Sequence, residues 1–242
     1  MPAAEPAAAD AIALLLAGQY ADPETGERLA AAGRSVVIED SLEGREADLV
    51  AALEVGRRLA LVADEDTFAA LGARVERALA GRFAVQRIVL PREPHADTAT
   101  VARLTQALDE RTDAVVAVGS GTINDLCKMA ALARSCPQLV FATAPSMNGY
   151  TSLSASVTEG GVKRSVRAAT PVGAFFDLNV MAAAPIRLIR AGLGDSVCRP
   201  TAQADWLLAH LLLGKPYREA PFAMLADDEL ALLSHARALA HG

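Results

Sequence analysis

The chain has 242 residues, 52% of them hydrophobic but only 4% aromatic, and a formal net charge of −6 at pH 7. This apolar content, drawn largely from alanine and leucine, excludes intrinsic disorder and suits helix-rich α/β packing. The acidic balance removes the broad attraction that sequence-independent nucleic-acid binding needs, and no apolar run approaches the ~20 residues that span a bilayer. Neither nucleic acid nor membrane insertion is expected. The apolar stretch 11–17 is too short for a secretory signal and lacks a basic region before it. Cys127, Cys136 and Cys198 are odd in number and without paired spacing, which fits packing roles in a reducing cytoplasm.

The alanine-rich first nine residues are expected to fray. Strands are expected at 35–39 and 58–63, with helical spacing at 43–55 between them. A helix at 67–79 carries Phe68, Leu71, Val75 and Leu79 on one face, a strand follows at 85–90, and Pro91 and Pro94 break the chain. Asp97 reads as the N-cap of a helix reaching about residue 109. A strand at 114–118, a helix at 122–134 and a strand at 139–142 continue the alternation, which implies a parallel sheet covered by helices. A projecting β-hairpin is expected at 153–167 around Gly160-Gly161, then a buried strand at 172–176. Beyond Pro185 the pattern is helical, with Gly192-Leu193-Gly194 read as a break and an apolar helix at 201–213. The expected fold is α/β: a Rossmann-like parallel sheet over residues 1–180, then the start of an all-helical domain over 181–242.

Three places can carry chemistry. The run 114–125 reads AVVAVGSGTIND, an uncharged strand that stops at Gly119-Ser120-Gly121-Thr122 and continues as a helix. The glycines permit a tight turn and close backbone approach, and the first N–H groups of the helix offer donors and a positive dipole end to a pyrophosphate. The same pattern also occurs in α/β proteins that bind nothing there. Asp64 ends a strand at the edge where open α/β sheets bind ligands. It either accepts from a ribose diol or is a solvated acid beside Glu65 and Asp66, and it precedes the glycine turn, whereas the acid of a standard dinucleotide fold follows by ~20 residues.

The second place, Thr143-Ala144-Pro145-Ser146-Met147-Asn148-Gly149-Tyr150-Thr151-Ser152, reads as a ligand loop or as a proline-anchored turn. The third, Asp195, either caps a helix beginning at Ser196 or offers a hard oxygen to a divalent cation. On the hairpin, Lys163, Arg164 and Arg167 either meet a phosphate or form a solvated basic face.

The motifs GSGTINDLCK, TAPSMNGYTS, the turn at 160–163 and AGLGD followed by ADW occur in this order between about residues 58 and 206. On them the chain resembles the sn-glycerol-1-phosphate dehydrogenase family, within the larger group of dehydroquinate synthases, glycerol dehydrogenases and metal-dependent alcohol dehydrogenases. The resemblance implies NAD or NADP held by Gly119, Ser120, Gly121, Thr122 and Asp125, with Asp64 on the adenosine ribose and Thr143, Ala144, Pro145, Ser146 and Ser152 completing the site. It implies that Asp195 is the catalytic residue, the first ligand of a divalent metal (zinc first, with nickel or iron as alternatives) and, with Asn148, a substrate contact. The implied reaction is hydride exchange between NAD(P)H and dihydroxyacetone phosphate, giving glycerol 1-phosphate, in a cytoplasmic homo-oligomer.

Two departures qualify that expectation. The family position of Asn148 is an aspartate, so recognition of the polyol is weakened or redirected. The family also completes its metal site with two histidines from farther along the helical domain. His95, His210, His235 and His241 do not replace them, since the last two are six residues apart and face different sides of a helix. The expectation is an incomplete enzyme of low or no activity. Alternatives are a glycerol or other polyol dehydrogenase, a dehydroquinate synthase-like lyase, which predicts glutamate at 195, and a non-catalytic nucleotide-binding module.

Overall fold

A computed structural model describes residues 8–241. Of the stretch expected to fray, Ala8 and Ala9 open a helix, and the remainder lies outside the described residues, as does Gly242. In chain order the elements are α1 (Ala8–Leu16), β1 (Tyr20–Ala21), β2 (Arg28–Leu29), β3 (Ser35–Glu39), α2 (Glu46–Ala51) and β4 (Arg58–Asp64). Then come α3 (Glu65–Thr67), a π-helical turn (Phe68–Gly72), α4 (Ala73–Ala80), β5 (Ala84–Leu90), α5 (Thr98–Ala107), β6 (Ala114–Gly119), α6 (Gly121–Ala133) and β7 (Gln138–Ala142). The rest are β8 (Ser154–Glu159), β9 (Val162–Arg167), β10 (Gly173–Asp177), α7 (Leu178–Ala182), α8 (Ile186–Val197), α9 (Arg199–Leu213), α10 (Ala220–Ala223) and α11 (Ala226–His241). They sort into two compact units: residues 33–145 with 149–185, and residues 8–32 with 146–148 and 186–241.

The first unit is built on a six-stranded sheet in the order β3-β10-β7-β6-β4-β5, with every pairing parallel. Its central strands are the uncharged runs of the sequence. Leu59 to Ala63, Ala114 to Val118 and Leu139 to Ala142 are essentially inaccessible, as strands covered on both faces must be. Phe141 and Phe175 pack against each other in the core, tilted by 40° with centroids 4.8 Å apart. From β4 the chain steps outward to β5, then returns to β6 and proceeds the other way through β7 to β10. The order therefore reverses between β4 and β6, and ligands of open α/β sheets bind in the crevice at such a reversal.

The helix expected at 67–79 is divided instead into α3, the π-helical turn and α4. Within the turn the Phe68 ring lies against Gly72, where a Cβ would stand 2.7 Å from the ring. The expected cap at Asp97 is present, its Oδ1 accepting from Thr100 N at 2.7 Å. The hairpin β8–β9 forms its own two-stranded sheet, turned by Gly160 and Gly161 at φ +57° and +81°. A buried charge cluster holds α2, α4 and the end of β10 together. Arg74 Nε makes an ion-pair contact with Glu46 at 2.8 Å, and its Nη2 bonds Asp177 Oδ2 at 2.6 Å.

The second unit is helical apart from the short pair β1–β2. The break expected at Gly192-Leu193-Gly194 does not occur, because α8 continues through it to Val197. Gly192 is buried, so packing outweighs the roughly 1 kcal/mol that a helical glycine costs. Arg190 Nε ties α8 to the Ala240 carbonyl of α11 at 2.7 Å. Along α9, Trp206 donates to Pro216 O and packs edgewise on Tyr217 and Phe222, while Leu208, Leu211, Leu212 and Leu213 are more than half exposed. Among the described residues no helix is long and apolar enough to cross a membrane.

Candidate dinucleotide site at the sheet edge

Val62 pairs with Ala117, so two residues farther on Asp64 and Gly119 close neighbouring strands at the point of reversal. The Gly119 carbonyl also accepts from Thr143 N at 3.2 Å, which ties the glycine turn to the start of the second loop. Three separate stretches of sequence thus meet on one sheet edge. Neither Gly119 nor Gly121 has a positive φ, so the turn uses no left-handed backbone. The requirement at 119 is steric instead. A Cβ there would lie 2.5 Å from Ile123 Cβ, so only glycine lets α6 start so close to the strand.

Ser120 is the N-cap of α6 but makes no side-chain capping bond. The first N–H groups of a helix have no intrahelical acceptor, so this uncapped end is suited to an anion. Asp64 has a structural duty as well. Its Oδ1 accepts from Thr67 N at 2.8 Å while its own N–H donates to Thr67 Oγ1 at 3.0 Å, a reciprocal capping box. The solvated-acid reading is therefore incomplete, because Asp64 is only 9% exposed and starts α3. A ribose would have to use the remaining carboxylate oxygen.

The loop after β7 is fastened to one face of α6. Asn124 Nδ2 donates to Tyr150 O at 3.2 Å, and its Oδ1 accepts from Gln138 Nε2 at 3.0 Å. Asp125 Oδ2 accepts from Ser156 N at 2.9 Å; burial pushes its carboxyl pKa up, opposed by that bond and by the Lys128 and Lys163 charges. Lys128 is fully buried, and its Nζ donates to the carbonyls of Gly149, Ser152 and Ser154 and to Ser152 Oγ at 3.0–3.1 Å. Tyr150 Oη closes the loop on Ala144 O at 2.6 Å. Sequence reasoning assigned no role to Asn124 or Lys128. The available signal was a set of polar residues at 124, 125 and 128, which share a face of an otherwise apolar helix.

The expected site residues divide between the units. Asp64, Gly119, Ser120, Gly121, Thr122, Asp125, Thr143, Ala144, Pro145 and Ser152 belong to the sheet unit, whereas Ser146, Asn148 and Asp195 belong to the helical one. Asp195 lies inside α8, so the expected cap of a helix starting at Ser196 is not formed. Its Oδ2 accepts from Asn148 N at 2.7 Å. Among the described residues no three His, Cys, Asp or Glu side chains come together in a metal-binding group. Among the described residues the donors present do not complete the expected metal centre. On the hairpin, Lys163, Arg164 and Arg167 are exposed, and Arg164 lies 3.8 Å from Glu159 across the turn.

Residues 37–185, which contain the whole sheet edge, match the family model described as iron-containing alcohol dehydrogenase. The chain belongs to that family. Among curated relatives, this iron-containing alcohol dehydrogenase family member is 34% identical over 187 residues to glycerol-1-phosphate dehydrogenase [NAD(P)+] of Bacillus velezensis, covering 75% of this chain and 48% of the relative. It is 30% identical over 190 residues to the protein of that name from Thermococcus sibiricus, covering 77% and 53%. The chain thus spans about half the length of the curated relatives it matches. Of solved structures, glycerol dehydrogenase from Schizosaccharomyces pombe is similar with a TM-score of 0.61 at 19% identity, over 69% of this chain and 42% of that one. An iron-containing alcohol dehydrogenase from Thermotoga maritima gives 0.60 at 17%, over 70% and 53%. At these identities the likeness is one of fold.

Proposed function

We propose that this chain carries the dinucleotide-binding part of an NAD(P)-dependent dehydrogenase that interconverts dihydroxyacetone phosphate and sn-glycerol 1-phosphate. The observation that carries the reading is the meeting of Asp64, the Gly119 turn and Thr143 where the strand order reverses, beside an uncapped helix start. The N–H groups that open α6 would receive the pyrophosphate, Asp64 the adenosine ribose, and Thr143 to Pro145 the adjoining part of the cofactor. The nicotinamide supplies the hydride chemistry when bound. The chain's own contribution is to hold that cofactor on a rigid edge, since a backbone bond joins Gly119 to Thr143 and side chains of α6 hold the loop.

The choice of substrate is supported by the names of the relatives and rests on residues outside the dinucleotide edge. Asp195 would contact the polyol and contribute one ligand to a divalent metal whose other donors come from elsewhere. Homo-oligomeric assembly belongs to the same proposal. Fluorescence titration with NADH and NADPH tests the cofactor part: saturable binding below millimolar concentration is expected, and its absence would overturn the reading. The substrate part is tested by assaying the chain extended to the length of its relatives, with dihydroxyacetone phosphate against dihydroxyacetone. Equal turnover of both would favour a glycerol or other polyol dehydrogenase. A second reading, a nucleotide-binding module without catalysis, is favoured by the absence, among the described residues, of a His, Cys, Asp or Glu cluster that includes Asp195. It predicts tight NAD(P)H binding with no turnover at any metal concentration.

A further inference from the structure

Lys128 places a charged ammonium where no water reaches it, among the carbonyl oxygens of Gly149 at 3.1 Å, Ser152 at 3.0 Å and Ser154 at 3.1 Å and the hydroxyl of Ser152 at 3.1 Å. Burying such a group is costly, whereas an apolar residue of the same length would fill the space without that cost. The oxygens explain the lysine. Carbonyl dipoles that converge on one point repel each other unless a cation stands between them. The Ser152 hydroxyl donates onward to Ser154 O at 2.9 Å, which leaves its lone pairs for the ammonium. The carbonyls of Gly149 and Ser152 belong to the end of the second loop and that of Ser154 to the start of β8, and the neighbouring Asn124 and Asp125 hold the same stretch at Tyr150 O and Ser156 N.

We propose that Lys128 is a positioning residue whose ammonium takes the place of a monovalent cation, gathering the Gly149–Ser154 backbone onto the helix whose first turn receives the dinucleotide. This role rests on the cofactor reading above for its functional consequence, but not for its structural one. The neighbouring Asp125 charge partly offsets the cost of burial, which otherwise lowers the lysine pKa. A grip of this kind makes the glycine turn and the second loop a single rigid edge, so cofactor binding does not have to order the loop.

The test removes the ammonium and returns it from solution. In Lys128→Ala, amide hydrogen exchange across 149–156 is expected to accelerate by about tenfold or more, and NADH affinity to fall by about tenfold, as for lost charge-assisted hydrogen bonds. Adding propylammonium, which matches the deleted atoms, is expected to restore both; neutral 1-propanol is not. Unchanged exchange in Lys128→Ala, or equal rescue by propanol, would overturn the inference, the latter because it would mean that the side chain only fills space. Should Lys128→Ala not fold, Lys128→Met keeps the volume without the charge. It must then show the same loosening of 149–156 at an otherwise native exchange pattern, and retained protection overturns the role. If the unaltered chain fails to bind NADH, the cofactor reading falls, while the exchange and rescue measurements still decide the part played by Lys128.

Discussion

The backbone N–H of Asn148 donates to Asp195 Oδ2 at 2.7 Å, and the Asn148 side chain reaches back toward the Asp195 carbonyl at 3.4 Å. Asn148, the residue that departs from the expected family pattern, is thus bonded to Asp195, the residue expected to ligate a metal. The stronger contact uses the backbone of residue 148, so any residue there except proline can orient the Asp195 carboxylate. In the proposed function, side chain 148 would be left to recognise a ligand.

Asn148→Asp preserves that backbone bond and replaces an amide by a stronger acceptor for polyol hydroxyls. In the chain extended to its relatives' length, kcat/KM for glycerol 1-phosphate is expected to rise by about tenfold, the size of a charge-assisted hydrogen bond. Steady-state kinetics of the unaltered and Asn148→Asp chains measure it, and equal or poorer turnover would count against a polyol-phosphate substrate.

Asp64 serves a helix cap and, in the proposed function, a ribose. Thr67→Ala removes the reciprocal cap partner and is expected to cost about 1 kcal/mol in urea unfolding while leaving NADH affinity nearly unchanged. Asp64→Ala is expected to cost a similar amount of stability and also to weaken NADH binding by about tenfold. Equal affinities in the two variants would reduce Asp64 to a cap.

Gly119→Ala is expected to destabilise the chain by about 1–3 kcal/mol, since the new Cβ would overlap Ile123. Ile123→Ala in the same chain is not expected to rescue it, because the closest approach, 2.5 Å, is to the Ile123 Cβ that alanine retains. Full recovery in the double variant, read by thermal unfolding, would show that α6 moves more easily than the packing implies.

Arg74 stands between Glu46 and Asp177, both almost completely buried. Removing it strands two carboxylates, so Arg74→Met is expected to lose about 3 kcal/mol or more of stability in denaturant titration. A loss below about 1 kcal/mol would mean that the buried acids find other partners or take up protons cheaply.

The same cluster predicts a pH dependence. Burial pushes the Asp177 carboxyl up, but donation from Leu42 N, Arg74 and Val180 N outweighs it and holds the pKa below its ordinary value. A depressed folded pKa stabilises the protein above the unfolded value of about 3.9, and this contribution disappears as pH falls through the folded value. Unfolding free energy measured from about pH 6 down to about pH 2 should therefore fall more steeply in the unaltered chain than in Asp177→Asn over the acidic end. Parallel curves would remove Asp177 from the account of acid stability.

Much of the sheet unit was legible because parallel strands covered on both faces must be uninterrupted apolar runs. The strand expected at 114–118 ends one residue later, at Gly119, and that expected at 139–142 starts one residue earlier, at Gln138. The cap at Asp97 was readable for a similar reason, since it depends on residues three apart. The helical unit was less legible. Gly192-Leu193-Gly194 looked like punctuation, yet a glycine only lowers helix propensity, and the packing of Gly192 decides the outcome. The π-helical turn at Phe68–Gly72 escaped as well, because an apolar face spaced for an α-helix tolerates one widened turn.

Local sequence was enough for the alternation of strands and helices, the glycine turn before α6 and the loop after β7, each set by residues within a few positions of one another. The order of strands was not local. Placing Asp64 beside Gly119 requires β6 to return past β4 after β5 has been made, a crossover that no short pattern encodes. The same holds for Lys128, whose three carbonyl partners lie 21 to 26 residues away and acquire a role only when the loop folds back onto α6. A buried charge depends on what surrounds it in space, so its meaning comes from the packed structure and not from its neighbours in the chain.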